Sequence, residues 1–360
     1  MTEKAVNEKQ RKRSEYTGMT NKGTASEVTS NNAIAGIRKK TTVVIPNLNG
    51  IKYLGNCLRS LSACEEESVP VIVVDNGSTD GSAALVEREF PAVTLIRFPE
   101  NRGFCAAVNA GISAACTPFV ILLNNDTTVE SQFVTRLTAA VMESDRYFSA
   151  GAKMLCMDNP EIIDDAGDYY CALGWAFARG KGRSRTRYQK PCDVFAACGG
   201  AAIYRTDVLR ELGLFDEAHF AYLEDIDIGY RARLHGYRNR YAPEAVVYHA
   251  GSASSGSRYN EFKIRLSSRN SVYLIGKNMP ALQIAVNLPF LLLGFLVKYL
   301  FFLRKGFGRI YVKGLWKGLK LCLSEEGKAR RIPFCRHFFP ACLRIQGELL
   351  YNLFVRRLFC

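Results

Sequence analysis

The 360-residue sequence has no apolar stretch near its start. MTEKAVNEKQRKRSEYTG is polar and charged, so no signal peptide is expected. It has no Cys-x-x-Cys pair among its 12 cysteines, and Cys192 and Cys198 are the nearest approach to one. That spacing gives no support to a disulfide framework and predicts mostly reduced cytosolic thiols used as small hydrophobes. No G-x-G-x-x-G follows the first apolar run, which excludes a dinucleotide-binding Rossmann unit. The stretch Gly174 to Gly182 has a spacing one residue too long for a P-loop and lacks its Ser/Thr, so it reads as a basic loop. With 48% hydrophobic and 23% charged residues, the chain is neither wholly disordered nor collagen-like.

What is present is an uneven charge. The net +14 divides into +5 over residues 1–40, −2 over 41–280 and +11 over 281–360. A near-neutral body is thus flanked by two basic ends. Nucleic acid, an anionic membrane surface, or both could meet such ends. Residues 1–40 hold almost no large apolar side chains and are expected to be a disordered tail.

From Thr41 the pattern changes to short β-branched runs: 42–46, 69–75, 92–98 and 118–124. Helix-length segments at 51–63, 81–90 and 103–115 separate them. Strands apolar throughout, alternating with helices, predict an α/β fold with a mostly parallel sheet covered on both faces. Ligands of such sheets bind beyond the carboxyl ends of the strands. Three of those ends carry polar residues: Pro46-Asn47-Leu48-Asn49-Gly50, Asp75-Asn76-Gly77-Ser78, and Asn124-Asn125-Asp126-Thr127. Each alone is ordinary turn and cap chemistry, but three on one edge predict a site. Further on come CGGAAIYR with Gly199 and Gly200, the acidic Glu224-Asp225-Ile226-Asp227 opening a helix, and an apolar run ending at His249.

Between Thr41 and about Pro280 these pieces, in order, resemble an inverting family 2 glycosyltransferase of fold A, closest to bacterial rhamnosyltransferases. The matching segments are VVIPNLNG, VVDNGSTDGS, ENRGFCAAVNAGI, ILLNNDT, CGGAAIYR, LFDEAHFAYLEDIDIGYRARLHGYR, VVYHAGSAS and SSRNSVYLIGKNMP. The resemblance implies a nucleotide-sugar-binding domain over 41–280 and a donor held by Pro46, Asn49, Asp75, Asn76, Arg102, Asn124 and Asn125. It implies a Mg2+ or Mn2+ ion on Asp126 and His249, Asp225 as general base, and Glu224, Gly199 and Gly200 on the acceptor side. The element usually reading Asp-x-Asp is Asn124-Asn125-Asp126 here, a site of fewer negative ligands filled largely by the substrate's phosphates. Asn76 stands where many relatives have Asp and can offer a donor and an acceptor to a pyrimidine. A helix N-terminus would lower the pKa of Asp225, whereas crowding by Glu224 and Asp227 would raise it. The best expectation is transfer of L-rhamnose from a dTDP donor to a lipid-linked or polysaccharide acceptor. Other donors (UDP-galactofuranose, UDP-glucose, UDP-N-acetylglucosamine) and a non-catalytic sugar-nucleotide-binding scaffold are the alternatives.

Residues 278–297 are uncharged and just long enough to span a bilayer, but include Gln283, Asn287, Pro289 and Gly294. Spanning would also carry the basic tail away from the cytosol, against the positive-inside tendency, so a re-entrant or in-plane arrangement is expected. Arg309, Lys313, Lys317 and Lys320 form a basic stripe beside Val312, Leu315, Trp316, Leu319 and Leu323. This pattern predicts attachment to an anionic membrane surface at the cytoplasmic face, with no nucleic-acid partner.

Overall fold

The computed structural model describes residues 40–64, 69–251 and 259–359. Residues 1–39 of the tail expected at 1–40, and the end of VVYHAGSAS, lie outside them.

The alternating runs form β1 (Thr41–Asn47), α1 (Leu54–Cys64), β2 (Val71–Asn76), α2 (Ser82–Glu89), β3 (Thr94–Phe98), α3 (Phe104–Ala114) and β4 (Phe119–Leu123). β1 pairs in parallel with β2 and with β4, and β2 with β3. Period-2 alternation sends successive residues to opposite faces. Val43, Ile45 and Ile121 meet Leu54 and Leu58 of α1 on one side. Val44, Val74 and Leu122 meet Val108 and Ile112 of α3 on the other. Cys57 and Cys105 are buried in the helices on the two faces, where burial pushes the Cys57 thiol up to about 12.

Past β4 the chain turns through β5 (Thr127–Val129) and α4 (Phe133–Met142) into β6 (Tyr147–Cys156), β7 (Asn159–Asp165), β8 (Asp168–Cys171) and β9 (Trp175–Ala178). Next come β10 (Cys192–Val194), β11 (Ala201–Arg205), α5 (Thr206–Glu211), α6 (Glu224–Leu234) and β12 (Arg238–His249). The ten-stranded sheet runs β10-β12-β6-β11-β4-β1-β2-β3, with β5 on β12 and β7 on β6. Antiparallel β11 inserts between β4 and β6, so its entry, Gly199-Gly200, lies at the carboxyl end of β4. There the Asn124 amide donates to the Gly200 carbonyl at 2.9 Å. Likewise the Ala250 amide donates to the Asp126 carbonyl at 2.9 Å, drawing the end of β12 to the same edge.

The C-terminal helices are α7 (Glu261–Asn278), α8 (Ala281–Arg304), α9 (Gly308–Leu323), α10 (Glu325–Ala329) and α11 (Phe339–Phe359). One hydrophobic cluster joins Tyr170, Phe195 and Tyr230 to Leu291 of α8 and to Ile345 and Leu349 of α11. The boundary expected at residue 280 is therefore a change of composition across which a core continues. Trp175 is buried, and its indole donates to the Gly294 carbonyl at 3.1 Å.

Candidate active site

The polar strand ends line one cavity of about 650 Å3, together with Gly199, Gly200, Glu224, Asp225 and His249. Of the expected donor residues, Pro46, Asn76, Asn124 and Asn125 reach its wall. Asn49, Asp75 and Arg102 are not among the lining residues. Asn49 is exposed in a left-handed turn (φ 51°), its side chain accepting from the Thr79 amide at 2.9 Å. Asp75 is buried behind the wall and accepts from Asn47 Nδ2 at 2.9 Å. Arg102 lies over the Phe98 ring, 4.8 Å from its centre. Asn76 differs from the reading that it presents a donor and an acceptor to a base. Its Nδ2 donates to Asn101 Oδ1 and the Gly103 carbonyl, and its Oδ1 accepts from the Arg102 amide, so it clamps the loop entering α3. Asn125 similarly donates to Asn47 Oδ1 at 2.7 Å.

Two poles of charge stand in this cavity. At the first, His249 Nε2 lies 3.3 Å from Asp126 Oδ1, while its Nδ1 lies 2.8 Å from Asp164 Oδ2. Burial would lower the imidazole pKa, but hydrogen bonds to Asp126 and Asp164 outweigh it and lift it to about 9. Burial opposes ionisation of Asp164, yet His249 and Lys181 together hold it down at about 2.

At the second pole, Asp225 Oδ1 accepts the Ile226 amide at 2.7 Å, and the Gly199 amide also donates to its carboxylate. Gly199, which also lines the cavity, thus positions Asp225 through its backbone. Burial raises Asp225, whereas these amides and a hydrogen bond from Asp168 oppose the rise. Burial, and then Asp165 and Asp225, push Asp168 well above the carboxylate range, which favours Asp168 as the proton donor to Asp225. Asp165, Asp168 and the Cys198 sulfur place ligand atoms within 4.8 Å of one another. Asp227 does not crowd Asp225 as its place in the sequence suggests. It turns into the protein, and although burial opposes its charge, Arg231 and Lys277 hold it far below the usual carboxylate range.

The loop that presents Asp225 is strained. Phe220, Tyr222 and Leu223 have φ of 63°, 72° and 67°, uncommon values for bulky side chains. Helix α7 holds it there. Asn270 Nδ2 donates to the carbonyls of His219, Ala221 and Tyr222, and Arg269 donates to those of Ala218 and His219. Gly103 (φ 90°) allows the loop to approach, because a Cβ there would sit 2.7 Å from the Phe220 ring.

Glu224 is half-buried, and its Oε2 meets no hydrogen-bond partner among the described residues. Burial and the neighbouring Asp225 raise it to about 8. Folding therefore retains a proton on Glu224 that the unfolded chain releases above the ordinary carboxylate range, and stability from this group falls as pH rises towards 8. Glu224→Gln is expected to match the wild type at pH 4 and to exceed it by at least about 1 kcal/mol at pH 8. Urea unfolding at the two pH values checks this, and a pH-independent difference would refute it.

Asp164, Asp165 and Asp168 are the residues that sequence reading passed over. Asp164 supports the first pole and Asp168 the second, from a single chain segment. The acidic run Asp164-Asp165-Ala166-Gly167-Asp168 was its only signal, and nothing local tells it from a turn.

Residues 42–213 match the family described as glycosyl transferase family 2. This chain carries a family 2 glycosyltransferase domain. Over 228 residues it is 28% identical to an N-acetylglucosaminyl-diphospho-decaprenol L-rhamnosyltransferase of Mycobacterium tuberculosis, covering 57% of this chain and 74% of that protein. Solved structures share the fold. S. aureus TarS 1-349 in complex with UDP-GlcNAc aligns with a TM-score of 0.52 at 18% identity, covering 87% of this chain and 91% of that one. GalNAc-T7 with UDP, GalNAc and Mn2+ aligns with a TM-score of 0.54 at 17% identity, covering 66% of this chain but only 47% of that chain. The mostly parallel sheet expected from the strand–helix alternation is thus the fold observed, made mixed by β5, β7, β10 and β11, which pair antiparallel.

Proposed function

We propose that this glycosyltransferase moves L-rhamnose, with inversion, from a dTDP donor to a lipid-linked acceptor. One observation carries the reading: a carboxylate–imidazole pole (Asp126, His249) and a proton-sharing carboxylate pole (Asp225, Asp168) face the same cavity at the strand ends. The rhamnosyl donor and lipid-linked acceptor are supported by the similarity to the mycobacterial enzyme.

Asp126 and His249 present one oxygen and one nitrogen ligand 3.3 Å apart toward the cavity, a donor set that suits Mn2+ or Mg2+. A divalent ion held there would neutralise the charge that develops on the departing diphosphate. Asp164 fixes the imidazole by accepting at Nδ1, leaving Nε2 for the ion. At the other pole Asp225 takes the proton of the acceptor hydroxyl as its oxygen bonds to the anomeric carbon. The bond from that carbon to the phosphate oxygen breaks, and its electron pair leaves with the nucleoside diphosphate. Pro46, Asn124 and Asn125 form the wall against the donor.

Purified protein incubated with a lipid-linked acceptor and either dTDP-L-rhamnose or UDP-sugars, with and without EDTA, tests the reading. Turnover of dTDP-L-rhamnose alone, abolished by EDTA and restored by Mn2+ or Mg2+, is expected. Preferential turnover of a UDP-sugar would replace the donor, and turnover in EDTA would remove the metal. Asp164→Ala is expected to weaken metal affinity about 10–100-fold, read as the Mn2+ concentration giving half-maximal rate. An unchanged requirement would separate Asp164 from that pole.

A further inference from the structure

Helix α8 is 24 residues long with a mean hydropathy of 2.0 over its most apolar window, enough by length and composition to cross a membrane. Its contacts say otherwise. Gln283, Asn287, Leu291 and Gly294 form one stripe, buried against the rest of the protein. Gln283 Oε1 accepts from the Tyr230 hydroxyl at 2.6 Å, Asn287 and Gln346 exchange two amide hydrogen bonds, and the Gly294 carbonyl accepts from Trp175. The fit at Gly294 is close, since a Cβ there would lie 2.2 Å from the Leu173 carbonyl oxygen. The three polar contacts run from near the start of α8 to its second half, so the helix lies along the catalytic domain and α11.

The opposite face of α8 is open. Leu282 is 71% exposed, and Leu292, Leu293 and Leu296 are more than half exposed. Helix α9 adjoins it through Phe302 and Tyr311, whose ring centres are 5.2 Å apart. Gly314 and Gly318 seat α9 closely on Ser268 and Arg269 of α7, which turns its other side outward. At 3.6 residues per turn, Val312, Trp316, Leu319 and Leu323 fall within about 60° of that outer side, and Arg309, Lys320, Lys313 and Lys317 fill about the next 80°. Trp316 is 58% exposed. An apolar stripe bordered along one edge by cations matches the boundary of an anionic bilayer, where apolar groups enter the acyl layer and cations meet headgroup phosphates. A second copy of this chain would set cation against cation at that edge.

We propose that α8 and α9 together form a monotopic seat on an anionic lipid surface, with α8 lying in the plane of the interface and crossing nothing. Crossing would tear Gln283 and Asn287 from their partners and place both amides in hydrocarbon. The seat stands independently of which sugar is transferred.

The test uses the full chain with sealed vesicles of phosphatidylglycerol or of phosphatidylcholine. Sedimentation with phosphatidylglycerol only, reversed by high salt, is expected. A blue shift of tryptophan emission on binding is also expected, lost in Trp316→Phe because Trp175 is already buried. Combined Lys313→Glu, Lys317→Glu and Lys320→Glu should weaken partitioning about a hundredfold. Protease added outside should digest the chain beyond Lys298 completely. A protected fragment beyond Lys298 that resists alkaline carbonate would show that α8 spans and overturn the proposal. Absence of vesicle binding by the wild type, with or without self-association through this face, would overturn it as well.

Discussion

Asp225→Asn is expected to lower the rate of sugar transfer by about 10²–10⁴-fold while leaving donor affinity nearly unchanged. The substitution keeps the shape of the side chain and one acceptor for the Gly199 and Ile226 amides, and removes only the ability to take a proton. Steady-state transfer alongside calorimetric donor binding measures the two separately. A variant with near-normal turnover would remove Asp225 from the role of base, and a variant that loses donor binding would make it a binding residue. The pH profile adds a second reading. Asp225 must be ionised to act, and burial raises its pKa above the ordinary aspartate range, so the acid limb of the profile is set by this group. The hydrogen bond from Asp168 lowers that pKa, so Asp168→Ala should move the acid limb to higher pH without removing the base. A limb that stays in place would show that Asp168 does not act on Asp225.

Lys277→Met is expected to destabilise the protein by about 3–5 kcal/mol. The Lys277 ammonium lies 2.7 Å from Asp216 Oδ2 and 2.9 Å from Asp227 Oδ2, with all three side chains at most 4% exposed. Arg231 and Asn278 also bind Asp227, and Tyr273, Arg330 and the Ala218 amide also bind Asp216. Removing the one cation shared by both carboxylates leaves two buried anions facing each other with incomplete pairing. Methionine retains the apolar stem, which isolates the charge. Arg330→Gln offers the contrast, because Arg330 is 39% exposed and its pairing is screened by water. It should cost about 1 kcal/mol or less. Urea unfolding at neutral pH checks both, and equal effects would show that burial does not set the scale.

The Lys277 cluster also shows where sequence reading succeeds and where it stops. The alternation of strand and helix from Thr41 to Leu123 is a local signal, since strands covered on both faces must be apolar throughout and their ends must be polar. The edge bearing Asn124, Asn125 and Asp126, and the helix opening at Glu224, were legible for that reason. His249 was legible because a strand end close to Asp126 in space was also a recognisable segment of the chain. Pairings across the fold were not legible. Asp227 stands two residues from Asp225, yet α6 turns the two side chains to different surroundings, one to the cavity and one to Lys277 fifty residues away. Asn76 could offer hydrogen bonds to a base, but only the fold shows that Asn101, Arg102 and Gly103 use them. Asp164 and Asp168 gain meaning only when the β7–β8 turn sets one against His249 and the other against Asp225. In α8 the polar residues that weaken a membrane span by composition are the same ones that dock the helix, Gln283 on Tyr230 of the catalytic domain and Asn287 on Gln346 of α11.

The arrangement of the two poles makes one central claim, that the acceptor oxygen attacks from the Asp225 side while the nucleoside diphosphate leaves toward Asp126 and His249. Such a single displacement reverses the configuration at the anomeric carbon. The most direct test is the one-bond carbon–hydrogen coupling at that carbon in the product, recorded by NMR for whichever nucleotide sugar the enzyme turns over. An anomeric configuration opposite to that of the donor is the predicted result, and a product that keeps the donor's configuration would contradict the account.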